Sequence, residues 1–202
     1  SRDAQGIRLA GLALSHAPER FELAGTFGGR EPQDLRLRLS QLDLTFLQRF
    51  LSLPEFVQGR ASLQAPLAGT AAAPLLEAEM LLHPEAGRRA PFEQLRVMLA
   101  YAQQQLRSDL RLRQANRDLL SITARLPVDL SLRPLPLAQR LIRAPVALQL
   151  RAKHPDLAVF SRWQPGWPGL SGALEAELTV QGTYPVLELE ADVRVQQLGL
   201  QK

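Results

Sequence analysis

The residues that could perform chemistry are few and stand far apart in the sequence. The three histidines, His16, His83 and His154, each fall in a predicted turn close to a proline. This setting is typical of solvated loop histidines, and the chain contains no HExxH, nucleophile-elbow or P-loop motif. The absence of cysteine also excludes disulfides and thiolate metal sites. We therefore predict that the protein is not an enzyme and has no catalytic residue, metal or cofactor.

The densest basic cluster consists of Arg107, Arg111, Arg113 and Arg117. Asp109 interrupts the cluster, and no aromatic residues are interleaved with it. Proteins that bind single-stranded nucleic acids combine a basic groove with aromatic side chains on which the bases stack. We therefore predict no nucleic-acid partner, and contact with anionic lipid headgroups is the alternative for this cluster.

The overall composition is that of a folded protein. Of 202 residues, 46% are apolar and 22% are charged, and the net charge of +4 is interspersed with acidic residues rather than clustered. No apolar run approaches the roughly 18 residues that span a bilayer, and the first residues do not resemble a signal peptide. We expect either a soluble protein or a piece of a longer one.

Apolar and polar residues alternate along most of the chain, which is the two-residue period of a half-buried β-strand. Turn-like pieces rich in glycine and proline separate the alternating segments. We predict an all-β fold, in which an elongated, curved antiparallel sheet of repeated hairpins forms a groove, with two or three short helices. The predicted strands are 6–15, 20–27, 33–43, 59–68, 75–83, 92–101, 104–113, 118–126, 128–132, 145–152, 171–181 and 186–196, and the predicted helices are 43–53, 136–143 and 156–163.

One phase change interrupts the alternation near the start of the chain. Ile7 and Leu9 precede Gly11, whereas Leu12 and Leu14 follow it, so the apolar positions shift by one residue. An extra residue of this kind predicts a β-bulge, which would add local curvature to the sheet.

An internal repeat relates two parts of the chain at an offset of 113 residues. This offset aligns the predicted helix beginning at Asp43 with the one beginning at Asp156, and then Gly59 with Gly172 and Gly69 with Gly182. A shared register of this length indicates a quasi-one-dimensional stack of similar units. We predict a single groove segment over residues 1–202, an internal fragment of a larger protein, with repeat units over approximately 43–83 and 156–196.

The two repeated hairpins resemble the TamB family and its AsmA-like relatives. The resemblance rests on strands that begin with glycine, alternate apolar and polar residues, and end in Gly-Thr and a nearby proline. These read Gly59-Arg-Ala-Ser-Leu-Gln-Ala-Pro-Leu-Ala-Gly-Thr-Ala-Ala-Ala-Pro74 and Gly172-Ala-Leu-Glu-Ala-Glu-Leu-Thr-Val-Gln-Gly-Thr-Tyr-Pro185. The segment 125–132, followed by 145–150, also resembles the family's stretch between repeats, so the resemblance covers most of residues 35–200 and is weaker before Gln33.

The resemblance implies a periplasmic segment of a large envelope protein, anchored in the inner membrane by a part of the chain outside this sequence. Members of the family have a curved sheet with an apolar concave face and are linked to phospholipid transport toward the outer membrane. They are also linked, through an outer-membrane barrel partner, to autotransporter secretion and outer-membrane protein assembly. We expect phospholipid as the partner of this segment, and contact with the membrane and the barrel through other parts of the chain.

The physical chemistry of lipid transport agrees with this implication. Exposing acyl chains to water costs about 0.8 kcal/mol per CH₂, so a two-chain lipid meets a cost on the order of 20 kcal/mol in an aqueous gap. An apolar sheet face removes most of that cost while the headgroup stays hydrated. The residues predicted to line this lipid groove are Leu63, Leu67, Met80, Leu95, Leu99, Ile122, Leu174, Leu178, Leu189 and Val193.

Alternation alone leaves other interpretations open. The apolar face can be the core of an ordinary sandwich or of a closed barrel that binds a small ligand. The short helices can form a lid over the sheet or can gate the entry of lipid. The sheet edges can instead act as a scaffold that pairs with the strands of outer-membrane proteins by β-augmentation.

Overall fold

The described residues of the protein form a single open sheet of eleven antiparallel strands. The computed structural model describes residues 7–27, 32–44, 59–84, 92–154 and 169–201. Every strand pairs with its neighbours in sequence, in the order β1 to β11, so β1 and β11 are the two edges and the sheet is not closed into a barrel. The strands are β1 (Ile7–His16), β2 (Glu19–Phe27), β3 (Gln33–Asp43), β4 (Gly59–Gly69), β5 (Pro74–Pro84), β6 (Gln94–Ala102), β7 (Gln105–Gln114), β8 (Arg117–Pro127), β9 (Pro145–His154), β10 (Gly169–Thr183) and β11 (Val186–Gln201).

This architecture confirms the predicted all-β fold and eleven of the twelve predicted strands. The twelfth, 128–132, is wrong, because this stretch leaves the sheet and makes only an isolated bridge from Val128 to Leu141. The helix predicted over 136–143 is shorter, α1 (Leu137–Arg140), since Leu141 is extended and forms that bridge. The other two predicted helices fall almost entirely outside the described residues.

Strand register sorts the side chains into two faces, because successive residues of a strand point to opposite sides. Direct cross-strand partners share a face, and their pairing can be followed from one edge of the sheet to the other. We call one such line of partners the central row, and all eleven of its members are apolar. The central row is Leu14, Phe21, Leu39, Leu63, Met80, Val97, Leu110, Ile122, Leu150, Leu178 and Ala191.

We call the side that carries the central row the apolar face and the opposite side the polar face. On the polar face, the corresponding line of partners from β3 to β9 has one apolar member, Met98, and is Arg38, Gln64, Glu79, Met98, Asp109, Thr123 and Gln149. The sheet is therefore strongly two-sided, as an antiparallel meander with one solvated face is expected to be.

A β-bulge preserves this sorting where the alternation slips in β1. The register between β1 and β2 shifts between Leu9 and Leu12, so the bulge predicted around Gly11 is confirmed.

A second glycine, Gly25 of β2, lies close to the backbone of β3. Gly25 has a φ of 125° and pairs with Leu35 of β3. A Cβ added at Gly25 would overlap the carbonyl oxygen of Asp34, whereas one added at Gly11 would meet nothing within 4 Å.

These two glycines form a matched pair for a stability test. Gly25→Ala should lower the free energy of unfolding by about 3 kcal/mol or more, because the methyl group overlaps a backbone atom that cannot move independently. Gly11→Ala carries only the strain of a positive φ and should cost about 1 kcal/mol. Urea denaturation of both variants measures the difference, and equal losses would contradict the close approach of β2 to β3.

Candidate functional site

All ten residues predicted to line a lipid groove lie on the apolar face. Leu63, Met80, Ile122 and Leu178 belong to the central row, as given above. The register places the others in neighbouring rows of the same face, paired with residues such as Leu35 for Leu67 and Ala176 for Val193. The structure therefore brings the ten predicted residues together on one surface that extends from β4 to β11. Their role in holding lipid stays a prediction.

The apolar face is most exposed at the two edges of the sheet. In β1, Ile7 is 63% exposed and Leu14 is 60% exposed, and in β11, Leu189 is 67% exposed and Val193 is 62% exposed. On the same two strands, Leu12 is 44% exposed, Leu187 is 42% exposed and Val195 is 45% exposed. Between the edges, the members of the central row from β2 to β10 are half-buried.

The total surface supports an open face rather than a closed core. The accessible surface of the chain is 14240 Å². A compact monomer of 22.4 kDa exposes only about 9,400 Å². The excess of roughly one half is what a single layer with two accessible faces produces, because ordinary domains bury the apolar face of a sheet against a second layer. A closed barrel, one of the open interpretations, is excluded by the strand order.

One end of the strands carries a small core on the apolar side. Its buried members come from the ends of strands β4, β5, β7 and β8 and from residues next to strands β3 and β6. Leu95 and Leu120 pack against them. This core covers one margin of the apolar face but not its centre. The buried members are Leu44, Ala61, Leu82, Phe92, Leu112 and Leu119.

At the opposite end of the strands, residues 128–144 form a strap on the apolar side. Tyr101 is only 3% exposed, and its ring lies on the apolar face because Tyr101 pairs with Leu76 and Leu106. The Tyr101 hydroxyl accepts a hydrogen bond of 2.9 Å from the backbone N–H of Leu130. Farther along, the N–H of Leu132 donates to the carbonyl of Ala71 in the turn between β4 and β5. The strap thus crosses from β8 toward β4 over the ends of the intervening strands.

Arg140 and Asp129 hold the strap in shape. The Arg140 guanidinium donates to three strap carbonyls, those of Asp129 at 2.8 Å, Ser131 at 3.0 Å and Arg133 at 3.1 Å. The Asp129 carboxylate accepts the N–H of Ser131 at 2.7 Å. Its contact with Ser131, aided by the charges of Arg133 and Arg140, holds the pKa of Asp129 below the ordinary value of 3.8.

The lowered pKa makes the strap sensitive to acid. The pKa of Asp129 is lower in the folded than in the unfolded protein. The contact therefore stabilises the strap at pH values above the ordinary pKa of a carboxyl group. That stabilisation is lost as the pH falls through the lowered value. An NMR titration of the Ser131 amide from neutral to acid pH should show a midpoint below 3.8. Asp129→Asn should abolish this titration, and a midpoint at or above the ordinary value would contradict the contact.

The polar face carries a groove that the sequence did not predict. The groove has a volume of about 910 Å³, and its lining comes from seven consecutive strands, β4 to β10. Of the ten predicted lipid-groove residues only Leu99 lines it, and the register places Leu99 on the apolar face. Charged side chains at the rim include Glu77, Arg107 and Arg125. Most of the lining residues belong to the polar face by register.

The remaining candidates for chemistry stay apart in the structure. His16, His83 and His154 lie in the final residues of β1, β5 and β9 rather than in turns, which corrects the sequence prediction. Among the described residues, no group of three or more His, Cys, Asp or Glu side chains could hold a metal ion. Within the same part of the chain, no helix is long and apolar enough to cross a membrane.

Comparison with models of known protein families, with curated proteins and with solved structures finds no match to this chain. The resemblance to the TamB and AsmA-like families therefore stays a prediction from the residues of the repeated hairpins.

Proposed function

We propose that the chain is a non-enzymatic segment of a TamB-like or AsmA-like envelope protein whose apolar face shields phospholipid acyl chains during transport between the inner and outer membranes. The observation that carries the proposal is the central row, in which eleven apolar side chains follow one another across eleven strands. Placement in the periplasm, anchorage in the inner membrane through another part of the chain and contact with an outer-membrane barrel rest on the resemblance alone.

The dimensions and chemistry of the central row suit a moving acyl chain. Ten strand spacings of about 4.8 Å make a continuous apolar track of about 48 Å. The track contains no charged or polar member, so a chain that shifts from one strand to the next meets the same environment. At each position the apolar side chains shield the acyl chain from water. This shielding avoids a cost of about 0.8 kcal/mol for every CH₂ group that would otherwise be exposed.

A charge placed on the apolar face should block transport. Leu189→Arg adds a cation at a site that is already 67% exposed, so the fold should persist. A charge in an apolar path costs about 3 kcal/mol, and we expect transfer of a fluorescent phospholipid between vesicles to fall by at least about tenfold. Leu178→Asp, in the central row, should have the same effect.

A neighbouring residue on the polar face provides a matched control for Leu189→Arg. Glu190→Arg introduces the same side chain one residue away, on the other side of the sheet and outside the groove. Circular dichroism establishes that each variant is folded. Transfer that is unimpaired in both apolar-face variants, or equally impaired in Glu190→Arg, would remove the apolar face as the lipid path.

The open edges favour a second candidate function, a scaffold for autotransporter or outer-membrane protein strands. β1 and β11 each have one edge with no partner among the described strands, and an extended chain could add to either edge by β-augmentation. In this case the exposed apolar side chains of β11 would contact a peptide rather than lipid.

Photo-crosslinkers at two apolar-face positions of the last hairpin separate the two functions. Val180 of β10 lies beside Leu189, and Leu187 of β11 is 42% exposed. In cells, lipid adducts at Val180 and Leu187 support the lipid path, and peptide adducts support the scaffold. A crosslinker at Glu188, on the polar face and outside the groove, serves as the control and should capture neither.

A further inference from the structure

Two arginines stand directly opposite each other on the polar face. Arg107 of β7 and Arg125 of β8 are cross-strand partners, and both side chains are exposed. Like charges in directly opposed positions destabilise a sheet. The sheet therefore gains stability at this point when an anion lies between the two guanidinium groups.

The nearby carboxylates are engaged with other arginines. Asp109 accepts hydrogen bonds from Arg111 at 2.9 Å and 3.2 Å, one on each carboxylate oxygen, and this contact raises the pKa of Arg111. Glu79 forms an ion pair with Arg96 at 2.9 Å. Both acids lie in the groove lining but are neutralised locally.

Within the described part of the chain, neither member of the arginine pair has a carboxylate partner. Arg107 donates only to the neutral side chain of Gln105, at 3.3 Å and 3.4 Å. Glu77, a further acid of the groove lining, is separated from Arg107 by the intervening strand residue Ala100. Two positive charges thus stand together with a neutral neighbour on each side.

The space around the pair is open to a ligand. Ala100 and Ala147 are the cross-strand neighbours of Arg107 and Arg125 on the outer sides, and their small side chains leave the guanidinium groups accessible. The groove of about 910 Å³ contains all four residues in its lining. Thr123, which also lines the groove, adds a hydroxyl donor on the same face as Arg125.

We propose that Arg107 and Arg125 together bind a phosphate group in the groove of the polar face. Guanidinium groups present planar pairs of N–H donors that match phosphate oxygens, and two of them share the negative charge of one phosphate. The phosphate belongs either to a free phosphate ion or to a phospholipid headgroup at a membrane surface. This proposal concerns the opposite side of the sheet from the lipid path and does not depend on it.

Inorganic phosphate is the first probe. With ionic strength held constant by chloride, phosphate should raise the thermal unfolding midpoint of the full chain, because a ligand that binds only the folded state stabilises it. Arg107→Gln and Arg125→Gln should each weaken the apparent affinity by about tenfold or more, the effect of losing charged hydrogen bonds. Arg8→Gln and Arg38→Gln remove equal charge from exposed polar-face positions outside the groove and should leave the affinity unchanged.

Arg125→Glu separates binding from folding. A carboxylate opposite Arg107 forms the cross-strand ion pair that the natural chain lacks there, so the variant should unfold at a higher temperature than the natural chain without phosphate. The same change should remove the response to phosphate. A variant that is stabilised and still responds fully to phosphate would overturn the proposal.

Vesicle flotation distinguishes the source of the phosphate. Phosphatidylglycerol vesicles are compared with vesicles of a galactolipid that has no phosphate. Binding to phosphatidylglycerol that is lost in Arg107→Gln and Arg125→Gln identifies a headgroup site, and a response confined to inorganic phosphate identifies a site for the free ion. The proposal is overturned if neither probe binds, or if binding depends on Arg8 and Arg38 as much as on the arginine pair.

Discussion

The register between neighbouring strands is the constraint on which both faces of this sheet depend. Each strand pairs only with its neighbours in sequence, and a slip of one residue would turn all of its apolar side chains to the polar face. Extra residues keep the phase where the alternation changes, between Leu9 and Leu12 in β1 and between Leu39 and Leu42 in β3. These bulges keep Ile7 and Leu9 of β1 and Leu42 of β3 on the same face as the central row.

Local pattern was sufficient to predict the strands, whereas contacts between distant residues decided what it missed. The stretch from Val128 to Leu132 alternates like a strand, but the strap is held by Tyr101 and Ala71, which lie far away in the sequence. The alternation of side chains along each strand was enough to predict that the ten predicted lipid-groove residues share the apolar face. The opposition of Arg107 and Arg125 depends on the pairing of β7 with β8 and has no local signal.

Because the described strands form a single layer, the apolar face has few packing partners among the described residues. A sheet with one apolar side ordinarily packs against helices or another sheet. In the described ranges, the small core and the strap cover only the two ends of the strands, and the edge strands expose residues such as Ile7 and Leu189. The proposed acyl chains would take the place of the second layer, and they need only an apolar surface without specific pockets.

The backbone of one sheet separates the two proposed sites, and this separation makes each site testable by itself. Leu178 and Thr179 are consecutive residues, yet the first belongs to the central row and the second lines the polar groove. Substitution of either side chain changes one surface and leaves the strand pairing, which uses only backbone groups, in place. If both proposals hold, a phosphate bound on the polar face cannot belong to a lipid whose chains lie on the apolar face, because eleven paired strands lie between them. The two surfaces would then serve different molecules.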